Sequence, residues 1–136
     1  MEHLFKSLLL GNTGEPEAIL LENLKEICPE AVSVEWFVDG NIHEAILTEH
    51  GQEKIVRFNR DGSLVNIRIN IHIAAVPENI RKVLDNSGEI MSSILIKDRL
   101  KNMYEFVLRD KLMKREIVLT NESGKILIRH DCTEII

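Results

Sequence analysis

Five histidines and two cysteines have the widest chemical reach in this chain: His3, His43, His50, His72, His130, Cys28 and Cys132. A metal site announced by sequence shows closely spaced ligand pairs. No H-x-x-x-H, H-x-H or C-x-x-C pair occurs. His43-Glu44 and Glu49-His50 are adjacent pairs, and neighbours along a strand point to opposite faces. We expect no metal site and no cofactor. A nucleophilic site needs Ser or Cys beside His, with a third group orienting the base. Cys28 falls at the C-terminal end of an expected helix, where the dipole disfavours a thiolate. No G-x-S-x-G occurs, and Gly11-Asn12-Thr13-Gly14 lacks the lysine of a phosphate loop. Carboxylates abound without a pattern that pairs them. No catalytic residue stands out, and the chain is expected not to be an enzyme.

With 136 residues, 44% of them hydrophobic and 29% charged, the chain is expected to be one domain with a single core. No apolar run approaches the roughly 20 residues that cross a bilayer, so no membrane insertion is expected. The net charge of −5 argues against a partner bound through its phosphates, so no nucleic acid is expected. Residues 1–73 hold 6 Lys and Arg against 12 Asp and Glu, and residues 74–136 hold 11 against 10. Such asymmetry could orient a partner or a second copy of the chain. The N-terminus has no basic start and no small-residue cleavage site. That predicts the cytoplasm, or the periplasm if a leader has been removed. The cysteines are expected to be free, buried and hydrophobic in behaviour.

Periodicity places the elements that would hold any site. Residues 1–12 read as a short amphipathic helix, with Leu4/Leu8 and Phe5/Leu9 at i, i+4. Pro16 to Cys28 reads as a helix with Leu20, Leu21, Leu24 and Ile27 inward, ended by Pro29. Period two then takes over. Val32, Val34 and Trp36 alternate with Ser33, Glu35 and Phe37 before Asp39-Gly40. Strands follow at Ile42–Glu49 and Glu53–Asn59. Leu64–Ile73 alternates most clearly, with Ile67, Ile69 and Ile71 expected inside and Arg68, Asn70 and His72 on a wet face. A second helix over Pro77–Asn86 turns Ile80, Val83 and Leu84 inward. Four more strands follow, near Ile90–Ile96, Met103–Arg109, Lys114–Thr120 and Lys125–Asp131.

The element order repeats. At an offset of about 62, Gly62 meets Gly124, Val56 meets Val118, Ala45 meets Val107 and Val34 meets Ile96, which predicts an internal duplication. The expected fold is α+β: about eight antiparallel strands from two α-β-β-β-β units, 15–73 and 77–131, with the helices on one face.

Cys28-Pro29-Glu30-Ala31, Trp36 in the next strand, His43-Glu44-Ala45-Ile46-Leu47, Arg60-Asp61-Gly62-Ser63-Leu64 after Phe58, and Val76-Pro77 opening the second helix together resemble the PepSY-like proteins with the β-lactamase-inhibitor-like fold. The resemblance covers about Glu15 to Asp131. It implies a bacterial protein of tandem α-β4 units that binds through its sheet face, and it supplies no catalytic residue. Most members are exported, which departs from the cytoplasmic expectation.

From the residues themselves, the expected partner surface is Phe37, Arg57, Arg68, Asn70 and His72. Phe37 is out of phase with Trp36, and Arg57 with Val56 and Phe58. An aromatic beside arginines suits the centre of an interface. The expected function is a non-catalytic protein- or peptide-binding module. The alternative is a small acidic chaperone-like homodimer.

Overall fold

The computed structural model describes residues 16–84 and 88–132. The helix expected over residues 1–12 lies outside the described residues. Among the described residues, eight antiparallel strands and two helices make an α+β fold. The chain falls into two compact units that divide between Ile69 and Asn70.

The first unit opens with α1, Ala18–Ile27. Leu20 and Leu24 are its buried residues, one turn apart. The Cys28 N–H donates to the Leu24 carbonyl at 2.7 Å, and Pro29 prevents a further turn. Strands β1 (Val32–Asp39), β2 (Ile42–Glu49), β3 (Gln52–Asn59) and β4 (Leu64–Asn70) pair in that order. The face toward α1 holds the core: Ala45, Leu47, Val56 and Phe58 pack with Leu20, Leu24 and Cys28. Trp36 packs half-buried on this core, its ring 6.0 Å from that of Phe58. The β3–β4 turn closes against the helix at Gly62, whose φ of +92° suits glycine. A Cβ there would lie 3.0 Å from Ile19.

The second unit holds a 3-10 turn at Ile73–Ala75, then α2 (Glu78–Leu84) and strands β5 (Glu89–Lys97), β6 (Asn102–Arg109), β7 (Arg115–Asn121) and β8 (Ile126–Asp131). Its core joins Val76, Ile80 and Leu84 to Phe106, Leu108 and Val118.

Several expectations are corrected. The fourth strand ends at Asn70, not Ile73. The Ile71 N–H donates instead to the Ser93 carbonyl, and His72 turns the chain by capping the 3-10 turn. Ile67, Ile69 and Ile71 are only half-buried, and Arg68 is half-buried as well, so alternation gave parity without contrast in burial. Val32 and Val34 are exposed: among the described residues β1 pairs with β2 alone, and Ser33 breaks its register with φ +55°. Val83, expected inside, is exposed on α2. At the repeat offset, exposed Val34 is matched to buried Ile96, and buried Ala45 to half-buried Val107. The buried neighbours of β6 are Phe106 and Leu108.

Candidate binding face

Register assembles the first unit's face opposite α1. Phe37 pairs with Glu44, Glu44 with Arg57, and Arg57 with Asn66. The adjacent row runs Glu35, Ile46, Ile55 and Arg68. Because successive residues alternate, these eight side chains share one face. Phe37, Ile46 and Ile55 form a second apolar cluster there. Arg57 Nε lies 3.1 Å from Glu44 Oε2, an ion pair whose carboxylate is buried. Next to it, the Asn66 side-chain oxygen is buried without a hydrogen-bond partner. A buried polar atom left unsatisfied is costly, so it marks a place with bonding capacity in reserve.

Three of the five expected contact residues lie on one face of the first unit. Phe37, Arg57 and Arg68 share this face of the first unit, as their phase predicted. Phe37 is not an exposed anchor, however: it is 0% exposed and belongs to a core cluster. The β2 run Ala45-Ile46-Leu47 carried the missed signal, since consecutive apolar residues mark a strand buried on both faces. Asn70 and His72 are exposed and belong to the second unit. His72 Nδ1 accepts from the Ala74 N–H at 3.0 Å, a capping role. Glu44 and Asn66 were not picked out from sequence, because a single polar residue on a strand carries no sign of its cross-strand partner.

On the α1 side, Glu49 forms a second buried polar node. Its carboxylate accepts from Lys54 Nζ and from the Glu30 N–H, each at 3.0 Å. These bonds, Lys54 first, hold the Glu49 carboxyl below its ordinary value. Burial and the nearby Glu49 charge push the Cys28 thiol up to about 11. Cys28 is therefore a neutral thiol at ordinary pH and a poor nucleophile. Beside it, a groove of about 250 Å³ runs between α1 and β1, lined chiefly by Leu21, Leu24, Val34 and Trp36. Among the described residues, no three His, Cys, Asp or Glu side chains converge as metal ligands.

This fold has close solved counterparts. A DUF2874 family protein from Bacteroides uniformis matches with TM-score 0.83 at 17% identity, over 90% of this chain and 94% of that one. A BLIP-like protein from Bacteroides fragilis matches with TM-score 0.79 at 17% identity, over 90% and 91%. A candidate periplasmic protein from Bacteroides eggerthii matches with TM-score 0.83 at 16% identity, over 89% and 92%. At such identities the likeness shows the BLIP-like fold. No protein-family model matches the chain, and no curated protein matches it. The expected cytoplasmic location finds no support in these neighbours. No described helix is long and apolar enough to cross a membrane.

Proposed function

We propose that the chain is a non-catalytic protein- or peptide-binding module acting through the first unit's face opposite α1. The observation that carries this reading is the row Phe37–Glu44–Arg57–Asn66, in which a half-exposed arginine paired with a buried carboxylate lies beside an amide oxygen with no hydrogen-bond partner. Arg57 and Arg68 provide directional contacts, and the Phe37–Ile46–Ile55 cluster forms a rigid floor beneath them. Asn70 and His72 are proposed separately, as contact residues of the second unit taken by itself. The neutral Cys28 thiol supports a non-catalytic role. We also read the units as copies of one α-β4 ancestor with PepSY-like membership. In support, a helix precedes four strands in each, and Asn23 and Asn79 each donate to a β-turn carbonyl.

Selection from a displayed peptide library with the full chain would supply a ligand, and isothermal titration would measure it. Asn66→Leu and Arg68→Ala proteins that keep the wild-type circular dichroism spectrum should each lose about tenfold or more in affinity, roughly 1.4 kcal/mol. Wild-type affinity in both would remove this face from consideration.

A further inference from the structure

We propose that the β6–β7 hairpin tip, residues 110–115, is a membrane-surface anchor: Leu112 and Met113 enter the interface of an anionic lipid bilayer without crossing it, while Lys111, Lys114 and Arg115 contact its headgroups. The tip belongs to the second unit taken by itself, and it does not depend on the binding reading above.

The tip holds apolar side chains out in water. Leu112 is 77% and Met113 64% exposed, side by side at the end of a hairpin. They add nothing to the unit's core, which the strands supply through Phe106, Leu108 and Val118. The turn is nonetheless firmly built. The Asp110 N–H donates to the Lys114 carbonyl at 2.9 Å, and the Met113 N–H to the Asp110 carbonyl at 3.0 Å. The Asp110 carboxylate accepts from the Leu112 and Lys114 N–H groups at 2.8 and 2.9 Å. Met113 sits at φ +68°, a conformation that glycine or asparagine adopts more easily. A methionine held there gives up stability to keep its side chain at the tip, a form of local strain that clusters at functional positions.

Charge selects the partner. Lys111, Lys114 and Arg115 are exposed and flank the apolar pair. Among the described residues no ion pair holds them, whereas neighbouring carboxylates are engaged: Asp110 with the turn itself, Glu89 with Arg109 at 2.6 Å and Glu116 with Arg129 at 3.0 Å. Asp131 is engaged as well. The net charge of −5 is spread over the whole chain, and charges beyond about 10 Å are largely screened at 0.1 M salt. An anionic bilayer suits both halves of this tip. Its interface takes the apolar side chains, lysine stems snorkel toward the phosphates, and each cation near the surface strengthens partitioning about fivefold. Lysine is depleted at protein interfaces, which makes a protein pocket the poorer fit.

The β5–β6 hairpin is an internal comparison. Leu100, 95% exposed, stands between Arg99 and Lys101, and the Asp98 carboxylate accepts from the Leu100 and Lys101 N–H groups, each at 2.8 Å. Consecutive hairpins lie at opposite ends of β6, roughly 25 Å apart, so one flat surface cannot take both. The β6–β7 tip carries the second apolar residue and the third cation.

Flotation of the full chain with vesicles of phosphatidylcholine and phosphatidylglycerol tests this, against vesicles of phosphatidylcholine alone. Wild type should float with the anionic vesicles, less so at high salt, and not with the neutral ones. A Leu112→Ser, Met113→Ser protein and a Lys111→Glu, Lys114→Glu protein should each lose about tenfold or more in binding, while Leu100→Ser should bind like wild type. Met113→Gly should melt a few degrees higher yet bind several-fold more weakly, a split that a purely structural role would not produce. Wild type that stays off anionic vesicles, equal binding to neutral ones, or a loss in Leu100→Ser matching that of the tip variants would overturn the proposal.

Discussion

Lys54 Nζ sits 3.0 Å from Glu49 Oε1, at the end of the first unit's core where α1 stops at Cys28. The two belong to adjacent strands, and their pair also fixes the chain leaving the helix, because the same carboxylate accepts the Glu30 N–H. With both side chains largely withdrawn from water, screening is weak and loss of either partner is expensive. Lys54→Ala should cost about 2–4 kcal/mol in urea unfolding, far more than a surface ion pair.

The same node predicts a dependence on acid. The folded Glu49 pKa is lowered from 4.5, so the stability it contributes is present above 4.5 and is lost as pH falls through the folded value. Stability measured from pH 6 downward should decline through this window, and Glu49→Gln should remove part of that decline. An unchanged slope would mean that the carboxylate is not held by Lys54 and Glu30.

Cys28 predicts the complementary effect in alkali. Its folded pKa of about 11 lies above the ordinary 9.0, so its contribution is intact below 9 and is lost as pH rises from 9 to 11. Cys28→Ser should flatten stability over that range. At pH 8 iodoacetamide should modify native Cys28 much more slowly than a free thiol.

Burial ranks the core substitutions. Phe58→Ala should cost about 3–5 kcal/mol, and it should shift the emission of Trp36, the chain's one tryptophan, since the two rings stack. Ile69→Ala, at a half-buried site, should cost about 1–2 kcal/mol, below the range for a fully buried isoleucine. Equal losses at both positions would contradict the described packing.

Gly62→Ala and Gly51→Ala separate backbone strain from crowding. Both glycines have positive φ, but a Cβ meets Ile19 and Asn23 at Gly62 and nothing within 4 Å at Gly51. Gly51→Ala should cost about 1 kcal/mol, and Gly62→Ala about 2 kcal/mol or more, in thermal unfolding. A similar cost at both sites would mean that the turn is not docked on α1.

Much of this fold was legible because it is written in local periods. Alternation and D-G turns marked the strands from Val32 to Asn70 to within a few residues. Leu20 and Leu24, and Ile80 and Leu84, marked the inward stripes of the helices. Parity was legible too: Phe37, Arg57 and Arg68 share a face, as their phase required. Tertiary structure alone decided how deeply each face is buried. A strand pattern specifies which side a residue points to, whereas burial depends on what packs over that side. Phe37 therefore became core, and Val32, on an edge strand, stayed exposed. The end of β4 was likewise decided at a distance, by the Ile71 bond to Ser93 twenty-two residues on in sequence. Glu44, Arg57 and Asn66 come together only through cross-strand register, which couples residues on three strands and leaves no periodic trace in any one of them.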